Sequence, residues 1–325
     1  MTLTKSIPLG VNSGQPQIRR VISACALPDI HVWEVVARRL LSMVPAQEYL
    51  LICPQADMAE FTFRTPPEWT IAADETFGNG YDLAAIHALA KGANKRRAGW
   101  LLQQFVKINA CVDPALTPED LVLVWDADTI PLRPLSFIEE GTGRIQYYHS
   151  RENHTPYFET IRKILGIEAY ATRSFIAQCF ATRVEWAREM IRDIEQRSPG
   201  NYIEYIVSSL PGISAAEFSE YESMGNWNLQ HHSNQIAFTS RRHWTRNGAR
   251  WIGHNPNLPL AALLLRLLAV RYDYVAIEKW QKHHLRPLAA FASHVAQRAL
   301  WIHLQLKSMM AVFAATAEPV SHDDQ

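Results

Sequence analysis

Two carboxylates one residue apart, Asp126 and Asp128, stand where an apolar run stops. The run is Leu121–Trp125, and Thr129-Ile130-Pro131 follows the pair. Carboxylate oxygens are hard donors that suit Mg²⁺ or Mn²⁺, and such ions are commonly shared with substrate phosphates. Two anions this close are costly to bury unless a metal or a cationic side chain balances them. The bland alternative is a turn at a strand end, with Asp126 capping a following helix. Asp-x-Asp alone occurs by chance; at the end of an apolar strand and before Thr-Ile-Pro it is far more specific.

Other residues offer chemistry at longer range. In FSEYESMGNW, Glu220 or Glu222 could serve as a general base toward an acceptor hydroxyl. The competing reading is charge on the surface at a helix end, since Glu is mostly exposed. Gln103 and Lys107 share one helical face with Trp100, and Lys107 could neutralise a phosphate at the sheet edge, or simply be solvated. Ala26 and Asp29 lie at the end of the first strand, where a base and ribose would sit; Asp29 is equally suited to cap a helix. His254 follows a short apolar run and reads as a surface or core histidine unless other ligands join it.

These groups need elements to hold them. Leu121–Trp125 is apolar on both faces, as a strand inside a parallel sheet is. Pro131 and Pro134 are expected to end sheet pairing. Strands are expected over 20–26, 48–54 and 69–73, with a helix from Val32 to Met43 between the first two. That is the opening of a nucleotide-binding α/β half. Helices follow over 82–93 and from Trp100 to Val112, then strands over 144–149 and 174–182. The polar, aromatic stretch His149–Tyr157 reads as an acceptor-recognition loop whose two histidines lie at the surface. Helices are expected over 158–165, 184–194 and 201–210. From Leu258 the apolar spacing is helical throughout, and residues 256–313 carry a net charge of +5.

Composition narrows the class. The 325 residues hold 32 Lys+Arg and 32 Asp+Glu, so no global field calls for nucleic acid. Four scattered cysteines, with no CxxC pair, point to reduced thiols in the cytoplasm and not to zinc or disulfides. No secretory h-region and no run of about 18 apolar residues is present, so neither a signal peptide nor a membrane span is expected.

The order GWLLQQFVKINA, LVLVWDADTIPLRP, SFIAQCFATRVEWAREMIRDIE and FSEYESMGNW resembles a bacterial, uncharacterised glycosyltransferase-like family of GT-A type. The resemblance covers about Val21 to Trp251. It implies a mixed α/β sheet flanked by helices that transfers sugar from a nucleotide-diphospho-sugar to a hydroxyl acceptor such as a surface polysaccharide or lipid-linked glycan. Asp126 and Asp128 would hold the divalent metal with a late histidine, His254. The Ser219–Glu222 block would line the acceptor side. Gln178-Cys179 departs from the family, where a histidine is expected. The implied organisation is a lead-in over 1–19, a catalytic domain over 20–255 and a helical extension with a polar tail over 256–325. That extension packs internally, dimerises or lies on the inner face of a membrane.

Two readings compete. VWDADT also fits a haloacid-dehalogenase-like phosphatase with Asp126 as nucleophile. Its chemistry needs a later acidic motif after an apolar strand. Downstream only Asp193, Asp273, Asp323 and Asp324 remain, and none follows such a strand. The nucleophile strand also usually opens that fold, whereas three strands come first here. The other reading is a non-catalytic sugar-nucleotide-binding module, against which the intact Asp pair argues.

Overall fold

The structure, a computed structural model, describes residues 17–198, 200–239 and 244–278. Its centre is a five-stranded sheet of β1 (Ile18–Ala24), β2 (Ala46–Cys53), β3 (Trp69–Ala73), β4 (Leu121–Trp125) and β7 (Cys179–Arg183). The spatial order is β3-β2-β1-β4-β7. The first four strands run parallel and β7 is antiparallel to β4. Every residue of β4 is buried, as expected of a strand covered on both faces. Helices flank this mixed sheet, Ala98–Cys111 lying against β1 and β4 and Val184–Arg197 against β7. This is the α/β class expected from the sequence.

The chain builds β1, β2 and β3 in one direction, then returns to the far side of β1 to lay down β4. The strand order therefore reverses between β1 and β4. In open α/β sheets the crevice at the carboxyl ends of such a strand pair is where ligands bind.

Two small sheets complete the described residues. The strands β6 (Ile145–Tyr147) and β8 (Ile236–Phe238) pair in parallel. In the other sheet, β10 (Tyr274–Ala276) lies between β5 (Thr129–Pro131) and β9 (Trp244–Thr245). Two expectations are corrected here. Pro131 does not stop pairing: it is the last residue of β5, opposite Tyr274, and its carbonyl accepts a bond from Arg39 (3.1 Å). Proline lacks only the donor, which a strand end can do without. Residues 274–276 are also a strand and not helix, because all three are buried in this sheet.

The helix Pro259–Leu268 agrees with the expected period. It buries Ala261, Leu265 and Leu268 against the main core. Residues 259–277 thus join the same packed body as the main sheet. The amphipathic stretch from 288 onward lies outside the described residues.

Candidate active site

The turn after β4 is fixed by its own backbone and by two neighbours. Thr129 N donates to Asp126 O (3.0 Å), which closes the Asp126-Ala127-Asp128 turn. Asp126 N donates to Gln178 O (2.9 Å), and Ile277 N donates to Asp128 O (2.8 Å). Ser23 of β1 and the Trp125 indole tie the strand end further, to Trp125 O (2.8 Å) and Thr129 O (2.7 Å) respectively. Both aspartates are half-buried. Gln178 sits at φ +65°, a conformation that side chains tolerate poorly and that recurs at functional sites. The position where the family resemblance calls for histidine therefore supplies a backbone carbonyl to the Asp pair.

Lys107 occupies the buried side of Asp126. Its ammonium donates to Asp126 Oδ1 (2.8 Å) and to Glu220 Oε1 (2.5 Å), and lies 4.8 Å from the Tyr221 ring centre. The Tyr221 hydroxyl donates to the same Asp126 oxygen (2.6 Å). Burial opposes the Lys107 charge, but Asp126 and Glu220 outweigh it and raise the pKa of the ammonium. Lys107 is thus directed at two carboxylates, where the sequence left open a phosphate partner or a solvated face. Its neighbour Gln103, one turn earlier, faces the cleft and donates to Ala24 O (3.0 Å).

Among the described residues no cation pairs with Asp128 in the same way. Burial pushes its pKa well up, and Asp126, Asp29 and Glu278 add to the push. The ends of β1, β4 and β10 thus each contribute a carboxylate that acts on Asp128. Asp29 follows β1 and sits at the N-cap of the helix Ile30–Met43, but its side chain makes no capping bond. It lines the cleft instead.

That cleft has a volume of about 1180 Å³ and lies over the carboxyl ends of β1 and β2. Ala24–Ala26, Asp29, Gln103 and Trp100 line it, with Lys95, Arg96 and Asp74 further out. The expected positions Ala26, Asp29 and Gln103 are brought together; Lys107 and the Asp pair lie outside the lining, beyond Asp29 and Gln103.

The Ser219–Glu222 block is not surface charge. Glu220 is 4% and Glu222 0% exposed. Ser219 caps the helix Glu220–His232, its hydroxyl accepting from Glu222 N (3.3 Å). Ser-x-x-Glu is a capping-box pattern, a signal that the sequence carries and that marks a helix start where a helix end was expected. The Glu222 carboxylate accepts from the Ser174 hydroxyl and from Asn226 Nδ2 (3.2 Å). Burial raises its pKa to about 7 despite those bonds. Burial also raises Glu220, with Lys107 pulling the other way. Neither acid is open to an incoming hydroxyl. Helix Glu220–His232 reaches this depth because Gly225 meets the Phe175 ring; a Cβ there would lie 2.1 Å from it.

Sequence reasoning missed a further group. Arg246, which follows β9, binds Glu152 of the 149–157 loop and approaches Glu278 (3.6 Å). This joins the expected acceptor loop to the acidic cluster. The loop histidines are half-buried and not superficial: the rings of His149 and His154 meet Phe238 and Tyr157. No local pattern could have linked positions 152, 246 and 278. His254 is exposed. Among the described residues no group of three or more His, Cys, Asp or Glu is arranged to hold a metal ion.

Comparison with known proteins gives two kinds of likeness and one blank. No curated protein sequence matches the chain. Among solved structures, the chain is similar to the apo WbbM bifunctional glycosyltransferase at 10% identity and a TM-score of 0.46. The match covers 84% of this chain and 47% of that one, so the chain spans about half the length of WbbM. It is also similar to the galactosyltransferase LgtC bound to donor and acceptor sugar analogues (10% identity, 79% and 86% coverage, TM-score 0.41). Mouse xyloside xylosyltransferase 1 in its apo form matches at 9% identity, with 79% and 97% coverage and a TM-score of 0.40. At these scores no residue role is taken from any of them. The family model that matches spans residues 35–250, two-thirds of the chain, and by that match the chain belongs to DUF6492, a family of unknown function.

Proposed function

We propose that the chain is a metal-dependent glycosyltransferase of GT-A type. It would move a sugar from a nucleotide-diphospho-sugar to a hydroxyl acceptor such as a surface or lipid-linked glycan. One observation carries the reading. At the strand-order reversal β1 and β4 are neighbours: the Asp pair ends β4, and a cleft of about 1180 Å³, lined by Asp29 and Gln103 among others, lies over the ends of β1 and β2. A nucleotide in the cleft would reach the Asp pair with its diphosphate.

The Asp pair offers carboxylate oxygens, which fit Mg²⁺ or Mn²⁺. Such ions take one or two carboxylates and fill the shell with phosphate oxygens and water, so no third protein ligand is required. When bound, the ion would act as a Lewis acid on the nucleoside-diphosphate leaving group. Asp126 and Asp128 would hold it. Lys107 and Tyr221 fix the Asp126 oxygen that faces inward, leaving the other for the ion. Glu220 anchors Lys107 and Glu222 ties the 174–178 loop to its helix, so both act as positioning residues. Glu152 and Arg246 would meet acceptor hydroxyls.

Thermal shift with UDP-, GDP- and CMP-sugars, with and without Mn²⁺, tests the reading. One nucleotide class at 100-fold its Kd should stabilise the protein by about 2.7 kcal/mol, a rise of roughly 4 °C in Tm. The rise should require Mn²⁺ and vanish in Asp128→Asn. A shift of equal size without metal, or none with any donor, would overturn the proposal.

A further inference from the structure

We infer that the helix Pro259–Leu268 and its flanks dock on an anionic phospholipid bilayer. The helix carries two apolar rows. Ala261, Leu265 and Leu268 face the core. Leu260 and Leu263 lie one turn apart on another face, and Val270 continues it beyond the helix. Leu260 is 64% exposed, Leu263 54% and Val270 52%, and Leu258 just before the helix is 55% exposed. A globular helix needs one apolar row; a second, outward one implies a partner.

Charge identifies that partner. The chain as a whole is neutral, yet residues 223–272 contain six arginines and no Asp or Glu. Three of the arginines, Arg250, Arg266 and Arg271, are exposed around the outward row. Exposed aliphatic side chains among arginines, in a stretch of fifty residues without Asp or Glu, are the pattern of an interfacial helix on anionic lipid. A protein interface would be expected to centre on aromatic side chains, with Leu under-represented. Among the described residues no helix is long and apolar enough to cross a membrane, so the contact is peripheral.

The place of the helix adds meaning. The chain leaves it through Asp273 into β10, and Ile277, the residue after β10, bonds the Asp128 carbonyl. A bilayer under this helix would lie one short sheet from the acidic cluster. The docking inference stands on exposure and charge alone and does not need the transferase reading.

Co-sedimentation of the full chain with vesicles decides it. The chain should bind vesicles of phosphatidylcholine with one-quarter phosphatidylglycerol at low salt, and bind pure phosphatidylcholine weakly. Leu260→Ser/Leu263→Ser should lower the partition coefficient by about tenfold or more, since binding follows buried apolar area. Arg266→Gln/Arg271→Gln should lower it by about 25-fold, at about fivefold per charge, and flatten the salt dependence. Both pairs are exposed, and an unchanged circular dichroism melt confirms that the variants fold. The inference is overturned if the wild-type chain leaves the anionic vesicles in the supernatant. It is also overturned if the leucine variant binds as well as wild type, which would assign binding to another segment such as 279–325. Loss of a dimer in light scattering, with no vesicle binding, would make the row a protein interface instead.

Discussion

Replacing Lys107 by Met tests whether the buried cation is the keystone of the site. Methionine keeps the volume and the fit against the Tyr221 ring but removes the charge between Asp126 and Glu220. The two partners will not suffer equally. The Asp126 side chain is 23% exposed and keeps the Tyr221 hydroxyl, so water and one hydrogen bond remain to it. Glu220 is 5% exposed at its side chain and loses its only ion-pair partner among the described residues. Breaking a buried pair by removing one member costs about 3–5 kcal/mol, and most of that should fall on Glu220. Burial already raises the Glu220 pKa, and without Lys107 it rises further. The variant can then relieve the cost by binding a proton, so the loss should be smaller at pH 5 than at pH 8. Adding Glu220→Gln removes the stranded charge and should recover roughly half of the loss at pH 8, an excess over additivity of the size seen for residues in direct contact. Urea unfolding at both pH values measures all three quantities. A loss under about 1 kcal/mol, or a double variant no more stable than Lys107→Met, would refute the claim that Lys107 neutralises two buried carboxylates.

What the sequence showed and what it hid have physical causes. The strand before Asp126 was legible because β4 is buried on both faces, and such strands read as unbroken apolar runs. Residues 69–73 and the start of Val184–Arg197 were equally plain, since local period and burial agree there. Half of the stretch 174–182 was misread as strand. Its apolar residues, Phe175 among them, are buried because the loop packs on Gly225, and burial without pairing leaves the same apolar signature. Tyr274–Ala276 failed for the opposite reason: three residues are too few to express a period, and helical spacing on both sides absorbed them. The site divides along the same line. Asp126, Asp128, Asp29 and Gln103 lie at strand ends or on a long helix, where topology can be inferred from order alone. The burial of Glu220 and Glu222 depends on a helix crossing over another, and the link from Glu152 to Arg246 and Glu278 on pairing across about a hundred residues, which no local pattern encodes. The partner of Lys107 is the instructive case. The residue was identified and its charge sign was right, but a carboxylate and a phosphate make equal demands on a lysine, and only the fold could choose.

The remaining predictions concern the Asp pair, the glycine contact and a titrating core. Asp128→Asn should raise the Tm of the metal-free protein at pH 8, because a carboxylate held up in pKa by burial and three neighbouring anions is replaced by a neutral amide; an unchanged or lower Tm would mean that Asp128 is structurally satisfied. Gly225→Ala should cost about 1–3 kcal/mol through overpacking on Phe175, and should displace the 174–178 loop whose Gln178 carbonyl holds Asp126. Tyr221→Phe, by contrast, removes one bond to Asp126 without a cavity and should cost about 1–3 kcal/mol, as hydrogen bonds to charged groups do. The last is a pH dependence set by Glu222, which is fully buried with its pKa raised from 4.5 to about 7. Between those values the folded chain holds a proton that the unfolded chain has released. Stability from this group is therefore complete below about pH 4.5 and is lost as pH rises toward 7, by about 3 kcal/mol in all. Other carboxylates, such as Asp113 beside Arg20, have lowered pKa values and push stability the other way at acid pH, so the total curve does not isolate Glu222. The difference between wild type and Glu222→Gln does. The amide keeps an acceptor for Ser174 and carries no charge, so the variant should match wild type near pH 5 and exceed it near pH 8. Denaturant unfolding at half-unit steps between pH 4.5 and 8 reads that difference. A flat difference would show that Glu222 titrates normally in the fold, and a variant that is less stable at pH 8 would show that the ionised carboxylate is the form its neighbours prefer.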